Sequence, residues 1–221
     1  MTAGLVQLMR LASPALPVGG FAYSEGLEAA VEAGLVADEA GALAWLVDQL
    51  HLGLARSDLA VVGHAVEAWR GNDLDAVRPL DAWVAASRET HELAAQTRQM
   101  GRSMVQWIAL AADGDGRVAA LADPTWPVAF ALAGARTAAG TRDVALAFAA
   151  GWVENQVQAA MRTVPLGQSA GQRLIAALQA EIPSAVDAAL ATPVDALQAF
   201  TPGLAVLSSR HETQYSRLFR S

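Results

Sequence analysis

Cysteine and lysine are both missing from the 221 residues. Without cysteine there is no disulfide framework, no thiolate nucleophile and no zinc–thiolate site. Without lysine a GxxxxGK[ST] phosphate loop cannot exist. Every basic residue is an arginine, whose planar guanidinium suits paired contacts with carboxylates. Charge is scarce as well, at 17% of residues, and the net charge is −7. A nucleic-acid binder would show a basic stripe, and none is present. Long charge-free runs are also lacking. SMVQWIALAA and VALAFAAGWV fall short of the roughly 20 residues a bilayer needs. The run over 118–135 is broken by Asp123, Pro124 and Pro127. The first residues, MTAGLVQLMRL, carry their arginine behind the apolar group, the reverse of a signal peptide. These absences lead to the expectation of a cytoplasmic protein that binds neither membrane nor nucleic acid.

What is present is apolar and helical. Hydrophobic residues make up 53% of the chain, enough for a sizeable single core. Alanine and leucine dominate and no alternating strand pattern survives, so the expected fold is all-α: a single domain of roughly ten closely packed helices. Leu43, Leu46, Val47, Leu50 and Leu54 recur at helical spacing behind a capping Asp38. A kink is expected at Arg56–Ser57, a long helix over 88–111 ending in a DGDG loop, and another over 125–139. Ser24 and Thr141 are expected helix caps, the latter opening a helix that Pro165 stops. One or two short helices are expected around Pro79, and Pro183, Pro193 and Pro202 are expected to punctuate the remaining helical segments, with DALQAF as a last short one. Residues 1–202 form the body, and 203–221 a separately behaving tail.

Catalytic patterns are hard to find. Gly167-Gln168-Ser169-Ala170-Gly171 has the letters of a nucleophile elbow, but it follows a helix and Pro165 rather than a strand. GDGR at 114–117 has no preceding strand to make it a phosphate cradle. His64, Glu67, His91 and Glu92 are the residues a helical metal site would use, in the wrong order for a di-iron motif. Amides and arginines do form two rows at helical spacing. Asn155, Gln158 and Arg162 make one; Glu92, Gln96, Gln99 and Ser103, flanked by Arg98 and Arg102, make the other. Each row is either a solvent face or the lining of an interface or polar passage. The segment from Ala12 to Ser24 is stiffened by two prolines, turned by Gly19-Gly20 and followed by Phe21 and Tyr23. The last residues, RHETQYSRLFRS, combine three arginines with Tyr215, Leu218 and Phe219 in an otherwise acidic chain.

Four stretches together resemble the UreF family of urease accessory proteins: LASPALPVGGFAYSEGLE at 11–28, ETHELAAQTRQMGRS at 89–103, NQVQAAMRTVPLGQSAGQRLI at 155–175 and the tail at 210–221. The resemblance implies an all-α, non-enzymatic homodimer without a cofactor. It implies binding to a UreD-like (UreH-like) protein, recruitment of the GTPase UreG, and delivery of nickel to urease apoprotein. It also implies a tail that orders when the UreD-like partner binds. Arg217 matches the family's tail arginine and Phe21 its loop aromatic. With Tyr23, Arg210, Tyr215, Leu218, Phe219 and Arg220 they make the expected partner surface. Asn155, Gln158 and Arg162 match a region near a passage proposed for nickel.

Overall fold

The computed structural model describes residues 2–111 and 115–221. The order of α-helices is α1 (Thr2–Ala12), α2 (Leu27–Glu32), α3 (Glu39–Asp48), α4 (Asp58–Arg70), α5 (Leu74–Ala86), α6 (His91–Ala111), α7 (Trp126–Ala135), α8 (Thr141–Thr163), α9 (Gln168–Ala191) and α10 (Pro202–His211). No strand occurs among the described residues. The fold is all-α, as the composition predicts. Asp113 and Gly114 of the DGDG loop lie outside the described residues.

Helix α4 is the hub. It packs on α5, α7, α8 and α9, and its residues from Leu59 to Gly63 are all buried. Helix α7, WPVAFALAGA, is apolar all round and buried from Pro127 to Gly134, as a helix with no polar face must be. Trp126, Phe130 and Phe148 meet edge-on or tilted at centroid distances of 5.3, 5.8 and 5.0 Å, joining α7 to α8. Trp69 is fully buried, and its indole N–H donates to the Val128 carbonyl at 3.1 Å.

Asp81 ties three helices together at one point. Its Oδ1 accepts from the Thr125 amide at 2.7 Å and hydroxyl at 2.8 Å, and its Oδ2 accepts from Arg98 at 3.3 Å. The start of α7 is thus held by a carboxylate on α5 and the guanidinium on α6 that also faces it. Gly101 makes the crossing possible. A Cβ there would sit 1.9 Å from the Pro124 carbonyl oxygen.

Several expectations are corrected. Pro183 does not divide a helix but lies inside α9, and of the one or two helices expected around Pro79 there is one, α5, with that proline inside it. Both prolines are exposed, as are Asp75 and Gln179 four residues before them, so water can reach the carbonyls that lose a partner. Buried Leu178, Ile182, Ala185 and Val186 hold α9 on both sides of the proline. DALQAF is not a helix: only a 3-10 turn covers Val194–Ala196. Thr141 is the first helical residue rather than the cap, which is Gly140. The expected kink is a π-type turn over Gln49–Leu54, followed by the break before α4. Unbroken, α9 is long and apolar enough to cross a membrane by length and composition (mean hydropathy 1.4). Its apolar stripe is used against α8, α4 and α3.

Gly101→Ala should lower the unfolding free energy by about 1–3 kcal/mol, because rigid backbone blocks the added methyl. Gly63→Ala should cost less, since its Cβ meets only the end of the Leu190 side chain. Denaturant melts of the two variants test the contrast. Asp81→Ala strands the buried Thr125 donors and should cost about 1–3 kcal/mol in the same measurement.

Candidate functional site

The site grows from the turn between the proline-rich loop and α2. Gly19 and Gly26 adopt left-handed backbone, at φ 79° and 81°. Glu25 does so too, at φ 51°, a conformation an unbranched non-glycine residue takes only when its surroundings hold it there. They do. Glu25 Oε1 accepts from Gln96 at 2.6 Å, and Oε2 accepts from the Trp152 indole at 2.8 Å. Burial pushes the Glu25 carboxyl above its usual range, outweighing those two hydrogen bonds and the smaller opposed effects of Asp58 and Arg88. Cavities of about 90 and 40 Å³ flank it, both walled by Glu25, Gln96, Trp126, Phe148 and Trp152.

One turn on, Glu28 opens α2, where the helix dipole favours a carboxylate. Its Oε1 accepts the Leu218 amide at 2.7 Å, and its Oε2 accepts the Phe219 amide at 3.0 Å. His211, at the end of α10 and fully buried, places Nε2 3.0 Å from Glu28 Oε2 and Nδ1 2.6 Å from Glu92 Oε2. The second oxygen of Glu92 accepts from Arg217. The final residues then run beside the loop. Arg220 N–H donates to the Ala22 carbonyl at 2.9 Å, and Ser24 donates its amide to the Ser221 backbone oxygen at 2.8 Å. The Ser24 hydroxyl donates to that same oxygen, and the Ser221 hydroxyl reaches Gln96 Oε1 at 2.7 Å. A continuous polar chain therefore links Trp152, Glu25, Gln96, Ser221 and Ser24 in the interior.

The tail is thus packed on the body in this single chain. Phe219 is buried, with Arg162 5.9 Å over its ring. Arg210, Tyr215, Arg217, Leu218 and Arg220 remain exposed, Tyr215 completely. Phe21 is 58% exposed and sits one residue from Ala22, beside the docked Arg220 backbone. Tyr23, expected on the surface, is core instead: the turn that aims Phe21 outward sends it inward. Ser24 does not cap α2 from the cap position, which is Gly26, although its hydroxyl accepts the Glu28 amide at 3.3 Å.

On α8, Gln158 and Arg162 are exposed and Asn155 is half-buried beside Gly20. Gln156 is the buried amide of that segment. The four candidate metal residues are not brought together. His64 faces the Thr192 carbonyl at 2.8 Å, Glu67 pairs with Arg70, His91 is exposed, and Glu92 serves the tail. No group of three or more His, Asp or Glu suited to a metal ion occurs among the described residues. Sequence reasoning missed Glu25 and Glu28 altogether. Their partners lie 71 to 191 residues away, and no local periodicity signals such pairs.

Fold and site define an all-helical protein whose buried carboxylates are occupied in holding its own chain. The UreF family profile matches residues 36–179. The chain is 58% identical over 225 residues to the urease accessory protein UreF of Polaromonas sp., covering 99% of this chain and 95% of that protein. It is 61% identical over 224 residues to the protein of that name from Methylibium petroleiphilum, covering 99% and 94%. It is 59% identical over 226 residues to that of Paracidovorax citrulli, covering 99% and 90%. The chain belongs to the UreF family of urease accessory proteins.

The raised titration of Glu25 fixes a pH dependence. The folded chain holds this proton more tightly than the unfolded one, so the contribution of Glu25 to stability falls as pH rises through and above the ordinary glutamate range of about 4.3. Glu25→Gln removes that term. Denaturation midpoints across pH should show wild type losing ground to the variant on the alkaline side of that range.

Proposed function

We propose that this chain is a non-enzymatic scaffold for urease maturation. It binds a UreD-like (UreH-like) protein, recruits the GTPase UreG, and so allows nickel to reach urease apoprotein. It works in the cytoplasm as a homodimer, the commonest closed assembly. The observation that carries this reading is the near full-length identity to proteins named urease accessory protein UreF.

The surface chemistry supports the partner role. Phe21, Tyr215 and Leu218 offer exposed apolar side chains beside the arginines 217 and 220. Aromatic and arginine side chains are the groups most often responsible for tight protein–protein binding. Arg210, Phe219 and Tyr23 act behind this surface: Phe219 and Tyr23 are buried supports, and Arg210 lies at the end of α10. Residues 203–221 are the partner-dependent part of the chain, and 1–202 the body they dock on. Asn155, Gln158 and Arg162 contribute polar lining only where a neighbouring protein covers α8.

Co-purification with UreD-like and UreG-like proteins tests the assignment. Arg217→Ala should retain the first partner and lose the GTPase by at least about tenfold in affinity, the scale of a hot-spot residue. Undiminished GTPase capture by that variant removes the tail from the recruiting surface. Failure of the unaltered chain to bind either partner removes the scaffold reading itself.

A further inference from the structure

Helix α1 is apolar on two faces and covered on one. Gly4, Leu8 and Leu11 turn inward and are buried. Leu5, Val6 and Met9 turn outward and are 59, 62 and 65% exposed. A helix with apolar residues on opposite faces belongs in an interior, and α7 shows where this fold puts one. Within the single chain α1 has no such enclosure.

The outward residues border a groove. Helix α1 runs beside α8, from Gly4 against Ala139, just before α8, to Ala12 against Gly151. An open cavity of about 720 Å³ lies along this pair. Leu5 and Met9 line it from α1, and Leu146 and Ala150 from α8. Small residues, among them Ala139 and Ala147, line much of the rest, and Asp143 is the one ionisable side chain there among the described residues. Contiguous apolar surface of this kind marks a site of protein contact, and scarcity of charge is typical of the centre of an interface.

Two properties say what covers it. The patch complements itself in shape: bulky exposed side chains stand next to a hollow lined by alanine and glycine. It also complements itself in charge. Arg10 is the only charged side chain of α1, is exposed, and lies over the Trp107 ring at 4.7 Å with no carboxylate paired to it among the described residues. Asp143 is exposed on α8, where its neighbour Arg142 is taken by Asp187 at 2.8 Å. One free positive charge therefore sits on the α1 side and one free negative charge on the α8 side. In a two-fold pair residue i meets j while j meets i, so an axis along the groove turns the α1 side of each chain toward the α8 side of the other. A second copy of this chain supplies both complements at once.

We propose that the groove between α1 and α8 is the seam of the homodimer, filled by α1 of a second copy. This rests on the homodimer reading given under the proposed function and names its face. Since α1 leads into the loop that displays Phe21, the seam also anchors the base of that loop in each copy.

Sedimentation of the purified full chain tests both readings separately. The native chain should be a dimer. Leu5→Glu with Met9→Glu should raise its dissociation constant by at least about a hundredfold, because each charge enters the seam twice and meets its own kind. Leu35→Glu, at an exposed apolar residue outside the groove, should leave it unchanged. Circular dichroism shows that each variant is folded. A second readout uses the absence of cysteine, which makes any introduced thiol unique. Spin labels on Met9→Cys should lie closer together in the native dimer than labels on Leu35→Cys. A native dimer that the double variant keeps, or whose Met9 labels are the more distant pair, overturns the seam and leaves the homodimer standing. A monomeric native chain overturns both. If that monomer binds a UreD-like protein and the double variant does not, the groove belongs to that partner instead.

Discussion

A carboxylate shut away from water must be surrounded by polar partners, and Glu28 finds three of them in the last dozen residues: two backbone amide donors and an imidazole nitrogen. Much of the site follows from meeting that requirement. The amides of Leu218 and Phe219 can reach Glu28 only if the chain turns back after α10. That turn brings Phe219 into the core, Ser221 onto Gln96, and Arg217 onto Glu92. The side chains between these anchors are left outward. One buried charge thereby decides both which tail residues are inside and which are displayed.

The body is built to make such a seat rigid. Alanine and glycine let α4, α7, α8 and α9 approach closely, and the aromatic cluster of Trp126, Phe130 and Phe148 walls the small cavities beside Glu25. Carboxylates inside this core fasten places where loops meet helices. Asp81 fastens the start of α7, Glu25 fastens the loop before α2, and Glu28 with Glu92 fastens the tail. Each uses a carboxylate, and two of the three recruit arginine, the only strong cation this sequence contains.

Residues 1 to 221, read without a structure, disclosed the helical class, the Asp38 cap and the stop after Thr163, because composition, capping and proline chemistry act over a few residues. They also excluded thiol chemistry and a phosphate loop, since those need residue types that are absent. Read alone, the same string put a break at Pro183 and left one open at Pro79, because propensity takes no account of the packing that carries a helix past a solvent-facing proline. It passed over Glu25 and Glu28. Only the tertiary structure settled those, along with the inward turn of Tyr23 and the outward face of Phe21. The reason is distance along the chain. A buried acid is stabilised by whatever donors the fold brings to it, here from more than 180 residues away, and no local pattern encodes that meeting.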